Sequence, residues 1–419
     1  MATTRHKQQL DAYLAHHKGV GASSSLMWQG IFKRYVSNID PGGGGEEVSA
    51  LLSLPPSHWK KMCITKCSEW RNKRALKQLK KIHPYTGLPK QTEAAIRESG
   101  VTYHLSLVDT QSKEHLTDTR DVYWHSMAAC VRWYTLDFLP LRQVRRMRVL
   151  ACCPLFFHKD GKAVPGSPYQ RSLLWESDVR LTDWTTEEHK MGSDDLIMLY
   201  KLPGDLLLAT WKADGEIAFI AAGLHYDQLV KRSLLGKSSE CYVPKERKVI
   251  SDDIDPWYGL HGYTATVELR NMRQSLWSQQ FTNLHCRSHD IGAGKACFSL
   301  IRHDCVTDHT PVPKKMTMPW RTELFKGVVQ MAAWLDVTVL DERGEVFYAT
   351  SSPVQAKKPP VTGADLEYEE DHHLEISQVS DRATVTMELG QLDHGKIFVR
   401  HLQLNLSLSA INEWFGTKY

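Results

Sequence analysis

Between Ser57 and Ile82 the apolar side chains repeat with the period of an α-helix. The face that they form consists of Trp59, Met62, Cys63, Cys67, Trp70, Leu76, Leu79 and Ile82. Pro84 disfavours helical backbone at the residue before it, so the helix is predicted to stop there. A second, short helix is predicted over Lys90–Glu98 and ended by Gly100.

After Gly100 the pattern changes to the alternation of apolar and polar residues that is typical of β-strands, first over Val101–Leu107. Further strands are predicted at Asp121–Phe138, Val144–Cys153, Leu196–Leu202, Leu206–Trp211, Glu216–Ala222, Tyr263–Leu269, Ala296–Arg302, Leu335–Leu340, Val346–Ala349, Thr384–Leu389 and Lys396–Leu406. Asp214-Gly215 predicts a tight hairpin turn, and Asp341–Gly344 predicts a longer one. Many short strands joined by turns indicate antiparallel pairing.

Two more helices are predicted, at Tyr226–Leu235 and at Ser409–Phe415. The predicted fold class is therefore α+β and mainly β. We expect an antiparallel β-sandwich or distorted barrel with an N-terminal helical segment and a C-terminal helix. Three regions follow: a disordered or frayed arm over residues 1–25, a helical segment over 26–100, and a β-rich substrate-binding domain over 101–419.

Composition is that of a globular protein, with 42% hydrophobic and 24% charged residues among 419. A formal net charge of +4 does not by itself indicate a nucleic-acid partner. The odd number of cysteines, nine, cannot be fully paired within the chain, and we expect reduced thiols. Together with a polar N-terminus and the lack of a long apolar run, this predicts a cytoplasmic protein, leaves the nucleus open, and predicts no membrane contact.

The sequence contains neither the GxSxG pattern of a serine nucleophile nor the HExxH pattern of a zinc enzyme. Gly292–Lys295 is similar to part of a phosphate-binding loop. However, His289 stands where the loop needs its first glycine, and Ala296 replaces its Ser or Thr. We therefore predict no catalytic, cofactor-binding or metal-binding residue, no cofactor, and a protein that is not an enzyme.

Two alternative hypotheses about function rest on particular clusters of side chains. A free-standing ligand- or zinc-binding β protein would use His285, Cys286, His289, Cys297, His303, Cys305 and His309, because zinc takes about four such ligands. A nucleic-acid-associated protein would use the basic outer face of the predicted helix over residues 60–81. That face comprises Lys60, Lys61, Lys66, Arg71, Lys73, Arg74, Lys77, Lys80 and Lys81.

Four stretches of the chain resemble the C-terminal body of the F-box only protein 15 family, in the order in which the family has them. They are His83–Pro89 (HPYTGLP), Tyr258–Tyr263 (YGLHGY), Leu335–Val354 (LDVTVLDERGEVFYATSSPV) and Ile411–Tyr419 (INEWFGTKY). The resemblance covers about residues 26–419. It implies the substrate receptor of a Skp1–cullin–F-box E3 ubiquitin ligase, in which the F-box holds Skp1 and the rest of the chain binds a protein substrate.

The N-terminus departs from the family pattern. Leu26–Tyr35 is similar to the family's segment just after the F-box, but the 25 residues before it have no Leu-Pro start followed by helical apolar periodicity. The sequence therefore predicts that the F-box module is missing and leaves the implied binding to Skp1 and a cullin in doubt. The partner-binding residues and the protein substrate are not indicated by the sequence.

Overall fold

A computed structural model describes residues 30, 56–157, 162–178, 180–245, 247–358, 374–379, 382–392 and 395–419. The predicted arm over residues 1–25 lies outside these residues, as does the segment 26–35 apart from Gly30.

The α-helices in the described part of the chain are α1 (Pro56–Gln78), α2 (Thr92–Glu98), α3 (Leu229–Leu235) and α4 (Leu408–Phe415). Short 3₁₀ helices lie at Leu141–Gln143, Leu181–Trp184, Glu187–His189, Ser288–Asp290 and Val306–Asp308. Within the described residues, every helix is too short or too polar to cross a lipid bilayer.

The strands follow in chain order. They are β1 (Thr102–Asp109), β2 (Glu114–Asp118), β3 (Asp121–Trp124), β4 (Ala128–Trp133), β5 (Val144–Pro154), β6 (Tyr169–Ser177), β7 (Lys190–Ser193), β8 (Ile197–Leu202), β9 (Leu206–Trp211), β10 (Ile217–His225), β11 (His261–Arg270), β12 (Ser275–His285), β13 (Ile291–Gly292), β14 (Lys295–Ile301), β15 (Thr310–Val312), β16 (Thr317–Arg321), β17 (Lys326–Gln330), β18 (Ala332–Leu340), β19 (Val346–Gln355), β20 (Leu374–Val379), β21 (Ala383–Gln391) and β22 (Ile397–Ser407).

The strands form open antiparallel sheets. Sheet 1 has the order β2-β1-β5-β6, and sheet 2 has the order β3-β4-β10-β9-β8-β7. Sheet 3 has the order β12-β11-β18-β19, and sheet 4 has the order β13-β14-β22-β21-β20, with β15 also paired to β22. Strands β16 and β17 form a separate hairpin. The mainly β, antiparallel fold with helices at both ends is confirmed, and none of the described sheets closes into a barrel.

The sheets stack in four layers. One core lies between sheets 1 and 2 and includes Leu105 and Trp133, and another lies between sheets 3 and 4 and includes Tyr263 and Phe298. A third core joins sheets 2 and 3, where Phe219 shares a cluster with Trp334. Sheets 2 and 3 are therefore covered on both faces. This explains why every residue of β4 and of β18 is buried, although an exposed antiparallel strand would alternate.

The end of the first helix differs from the prediction. Helix α1 stops at Gln78 rather than at Ile82, and the Ile82 side chain is 52% exposed instead of continuing the buried face. The reason is the turn that follows, in which the His83 N–H donates to the Leu88 carbonyl and Ile82 forms a bridge with Pro89. The predicted Asp214-Gly215 and Asp341–Gly344 hairpins are both confirmed, as β9–β10 and β18–β19.

Candidate protein-binding groove

The turn between β18 and β19 is organised around one carboxylate. The Asp341 side chain is completely buried and accepts from Arg247 Nη2 at 3.2 Å, Arg343 Nη2 at 2.9 Å and Trp414 Nε1 at 3.1 Å. The backbone N–H groups of Arg343 and Glu345 also donate to it, at 3.0 and 2.9 Å. Because these donors belong to three separate segments, Asp341 ties the turn to the loop before β11 and to α4.

Two glycines bring two more of the family-like stretches, the stretches that carry the family resemblance, against this turn. These two are His83–Pro89 and Tyr258–Tyr263. Gly87 has a φ of +67°, and a Cβ added to it would lie 2.3 Å from Leu340 Cδ1. Gly259 has a φ of +89°, and a Cβ there would lie 2.8 Å from the Phe415 ring. Both positions need glycine, because a side chain would strain the backbone at these positive φ angles and would also clash with the neighbouring side chain. All four stretches that carry the family resemblance therefore meet at this end of the molecule.

Aromatic rings hold the C-terminal helix in place. The Phe415 ring is buried and packs edge to face against Tyr258 and Tyr263, with centroid distances of 5.1 and 6.1 Å. Phe347 of β19 joins the cluster at 5.6 Å from Tyr263. Gly416 takes the left-handed conformation, φ +75°, and its N–H donates to the Asn412 carbonyl, which confirms the predicted helix end.

Beside this cluster lies an open groove of about 1050 Å³. It is bounded by the start of α3, the loop that precedes β11, the beginning of β19, and α4. In the described part of this loop, residues 236–245 and 247–260, there is no helix or strand. The loop is attached to the rest of the fold by a bridge between Cys241 and Leu173, by the Arg247–Asp341 ion pair, and by the Cys286 N–H, which donates to the Leu260 carbonyl. Loops of this length without regular structure are uncommon in compact domains and are often functional.

The apolar wall of the groove has a buried side and an exposed side. Phe347 and Ala410 are buried, and the Trp414 ring carries the Arg247 guanidinium 4.1 Å from its centroid. The exposed side consists of Val243, which is 80% exposed, and Val249, which is 47% exposed. Exposed apolar side chains beside a concavity are typical of a surface that another molecule covers. The same loop continues this exposed apolar character outside the groove, at Ile250, Ile254 and Trp257.

Charged side chains of both signs also line the groove. They are Asp227, Arg232, Lys245, Arg247, Glu345, Arg382 and Glu413. Arg247 is paired with Asp341, whereas the exposed side chains of Arg232, Lys245 and Arg382 form no ion pair with any described residue. Burial raises the pKa of the Asp227 carboxyl, and the positive charge of Arg232 acts on it in the opposite direction. The groove therefore presents charge of both signs to a ligand.

A smaller cavity of about 190 Å³ opens beside the groove, and Arg232 and Ala349 line both. Its wall combines apolar and polar side chains. The apolar ones include Val149, Leu174, Trp175, Leu206, Ala222 and Leu229, and the polar ones include Asp205, Thr350 and Ser351. His225 also lines it; its ring is bonded to Thr338 Oγ1 and to the Asp227 N–H, and burial lowers its pKa to about 4. The ring is therefore neutral near pH 7.

The structure does not bring together the candidate zinc ligands of the alternative hypothesis. Cys286 is buried at the edge of the core between sheets 3 and 4, and Cys297 Sγ accepts from Gln403 Nε2. His309 bonds the Arg302 carbonyl at 3.2 Å. Among the residues that the structure describes, which include His285, Cys286, His289, Cys297, His303, Cys305 and His309, there is no group of three or more His, Cys, Asp or Glu side chains placed to hold a metal ion.

The basic face predicted over residues 60–81 is smaller in the structure. Arg71 points inward and is buried, with its Nη1 donating to the Pro154 carbonyl at 3.3 Å. Arg74 pairs with Glu98 of α2. The inclusion of Arg71 on the outer face was therefore wrong, because its guanidinium caps an interior carbonyl. The lysines of this region remain exposed, at positions 60, 61, 66, 73, 77, 80 and 81.

Sequence reasoning did not find the groove, because its residues come from several separate segments between Asp227 and Trp414. A signal for its location was nevertheless present. Three of the four family-like stretches contain residues that either line the groove or hold its wall, namely Gly259, Phe347 and Trp414. Their clustering in space could not be seen from their order along the chain.

Comparison with known proteins identifies relatives of one kind. The chain is 30% identical to F-box only protein 15 of Macaca fascicularis over 367 residues, which cover 86% of this chain and 82% of that protein. It is 30% identical to F-box only protein 15 of Homo sapiens over 412 residues, covering 95% and 79%. The protein of the same name from Mus musculus is 23% identical over 386 residues, covering 88% and 86%.

No protein-family model matches the chain. Among solved structures, MucB in complex with MucA(peri) aligns with a TM-score of 0.12 and 10% identity, covering 82% of this chain and 97% of that one. A similarity of that size supports no statement about fold or function.

Proposed function

Since the chain belongs to the F-box only protein 15 family, we propose that it is the substrate-recognition subunit of a Skp1–cullin–F-box E3 ubiquitin ligase and that the groove beside α4 binds its protein substrate. Residues 101–419 would form the substrate-binding part, and residues 26–100 the helical segment before it. We propose that the protein acts in the cytoplasm, with the nucleus as the alternative compartment.

The observation that carries the proposal is the position of the groove. It lies where the stretches shared with the family meet, and these stretches form its wall through Phe347 and Trp414. At about 1050 Å³ and open to solvent, the groove is large for a small metabolite and suits a segment of polypeptide. The exposed apolar loop beside it, with Ile254 93% exposed, extends the contact area toward that of a protein interface.

The proposed role is binding, without chemistry of its own. In a ligase of this type the covalent steps belong to other subunits. The chain would contribute by holding the substrate close to them and in a fixed orientation.

The test uses the tagged full chain expressed in cells, with recovery of bound proteins and of proteins whose ubiquitylation depends on it. We expect Skp1 and a cullin to co-purify, and we expect a Val243→Arg, Val249→Arg double variant to retain both while losing the ubiquitylated substrates. The matched control is Leu136→Arg, Leu324→Arg, which changes exposed apolar residues outside both the groove lining and the loop beside it.

Two results would contradict the proposal. One is the failure of Skp1 and a cullin to co-purify with the folded wild-type chain. The other is recovery of the same ubiquitylated proteins with the Val243→Arg, Val249→Arg variant as with the wild type.

A further inference from the structure

We infer that the outer edge of β12 binds an extended segment of another protein, which pairs with it as an additional antiparallel strand. In this segment apolar and uncharged polar residues alternate, and an acidic residue follows directly. The described lining of the groove includes no residue of β12, so this edge is a second binding surface, separate from the groove.

The backbone of β12 has unpaired groups along one side. Within the described sheets, β12 is the outermost strand of sheet 3 and pairs only with β11. Successive residues of a strand direct their N–H and C=O groups to alternate sides, so every second residue of β12 turns these groups away from β11. Among the described residues, no other backbone group pairs with them between Leu276 and Leu284. Such a row of unpaired groups is a template for a further strand.

The sequence of β12 leaves this edge open to pairing. Ser275–Leu284 contains no Lys, Arg, Asp, Glu or Pro, which are residues that commonly block the free edge of a sheet. The two outer strands of sheet 1, by contrast, carry Glu114, Asp118, Arg171 and Glu176. The edge of β12 therefore lacks the usual protection against an added strand.

The register of β12 limits where an added strand pairs. The pairing with β11 is continuous from Trp277 to Phe281, and it shifts beyond Phe281, where Asn283 has a φ of +54°. A shift of this kind bends the strand and interrupts its ladder of hydrogen bonds. We therefore expect the added strand to pair along Trp277–Phe281.

The side chains of this stretch determine the pattern of the ligand. Trp277 and Phe281 pack against the core between sheets 3 and 4, and Ser278 and Gln280 lie on the opposite face of the strand. Residues that face each other on neighbouring strands place their side chains on the same face, where they contact each other. The ligand should therefore have apolar residues opposite Trp277 and Phe281, with polar residues between them.

Positive charge lies at the start of β12. Lys314 Nζ donates to the Ser275 carbonyl at 2.9 Å, and Arg273 is exposed in the turn before the strand. Neither side chain forms an ion pair with a described residue. The Glu268 carboxyl of β11 is buried and accepts from Ser126 instead. Because an antiparallel ligand ends beside the start of β12, an acidic residue that follows its strand would meet Lys314 and Arg273.

A second copy of this chain fits the edge less well. Arg273 and Lys314 lie before the strand, and the exposed Arg287 lies after it, so both ends of β12 are positively charged. Antiparallel pairing of β12 with itself would bring the start of one copy beside the end of the other. Like charges would then face each other, which is unfavourable.

The experiment selects binders to the purified full chain from a displayed library of random twelve-residue peptides and measures synthetic versions by fluorescence anisotropy. Ser278→Pro and Gln279→Pro identify the peptides that bind β12. One of these two N–H groups faces away from β11, and proline is tolerated only at that position of an edge strand. The variant whose urea unfolding matches that of the wild type is the one that has lost an outward N–H.

We expect a group of selected peptides to bind this folded variant at least about tenfold more weakly, because a peptide carbonyl loses its donor. These peptides should share the alternation of apolar and polar residues, followed by Asp or Glu. Peptide N-methylation tests the same pairing without changing the protein. Methylating every second amide should abolish binding in one phase of the alternation and preserve it in the other, because only one edge of the peptide bonds to β12.

Charge variants test the position of the acidic residue. Arg273→Glu, Lys314→Glu should weaken binding about tenfold or more, whereas the control Arg142→Glu, Lys212→Glu, which reverses two exposed charges elsewhere, should leave it unchanged. Replacing the acidic residue of the peptide by its amide should weaken binding to the wild type but not to Arg273→Glu, Lys314→Glu. Val243→Arg, Val249→Arg should bind these peptides as the wild type does, because the groove is not involved.

Three results would overturn the inference. The first is that no selected peptide loses affinity for the folded proline variant and that both phases of N-methylation have the same effect. The second is that the peptides that bind β12 lack the acidic residue or bind Arg273→Glu, Lys314→Glu as tightly as the wild type. The third is sedimentation of the chain alone as a dimer that the folded proline variant does not form, since a second copy would then occupy the edge.

Discussion

Asp341 holds the groove wall in place without lining the groove, because it binds Arg247 and Trp414, and its replacement should be costly. Replacing it with alanine removes an acceptor that serves two guanidinium groups, one indole N–H and two backbone N–H groups. The family-like stretches lose a shared attachment at the same time, because Trp414 of α4 and Arg247 of the loop both bind this carboxylate. We expect reduced stability and a disordered groove wall.

The expected loss of stability depends on the donors that remain without their acceptor. Removing one partner of a buried ion pair costs about 3–5 kcal/mol. Arg247 and Arg343 are 26% and 28% exposed, so water recovers part of this cost. We therefore expect Asp341→Ala to lower the free energy of unfolding by about 3 kcal/mol. Asp341→Asn keeps an oxygen for the two backbone N–H groups and should cost about half as much.

Urea unfolding followed by tryptophan fluorescence measures this difference, provided that the slope of the free energy against denaturant is unchanged. Asp304→Ala is the matched control, because Asp304 also pairs with an arginine but lies 72% exposed, and it should have no measurable effect. A loss below about 1 kcal/mol for Asp341→Ala, or one equal to that of the control, would refute the central role of this carboxylate.

Three further perturbations test the packing around the groove. Phe415→Ala should lower the free energy of unfolding by about 3–5 kcal/mol by leaving a cavity among the aromatic rings, and the same urea titration measures it. Gly215→Ala should lower the free energy of unfolding by about 1 kcal/mol through backbone strain alone, since its φ is +74° and its surroundings are open. Gly87→Ala should lower it clearly more, because the added Cβ would also clash with Leu340, and equal losses for the two variants would contradict this. Stability should fall as the pH is lowered from about 6.5 to 4, because burial holds the pKa of His225 at about 4 while the histidine of the unfolded chain binds its proton at a higher pH. Thermal melts across this range measure the fall for each protein relative to its own melting temperature at pH 7. The fall should be smaller in His225→Leu than in the wild type.

Several helices, strands and turns could be predicted from the sequence. The period of apolar residues predicted helix α1, and the turn residues Asp214-Gly215 and Asp341–Gly344 predicted two hairpins that the structure contains. These features depend on neighbours within a few positions, where backbone preferences and turn chemistry act directly. The exposed position of Ile82 was missed, because a bridge to Pro89 competes there with continuation of the helix.

What the sequence by itself determined is the helices, the strands with a clear apolar period, their antiparallel pairing through short turns, and a resemblance spread over four separate stretches. It did not predict strands such as β6, β12, β16 and β17. Only the tertiary structure decided that sheets 2 and 3 are covered on both faces, that Arg71 turns inward, and that distant residues such as Arg232, Phe347 and Trp414 line one groove. The physical reason is that period and turn chemistry act within one segment, whereas burial and site geometry depend on which segments pack together.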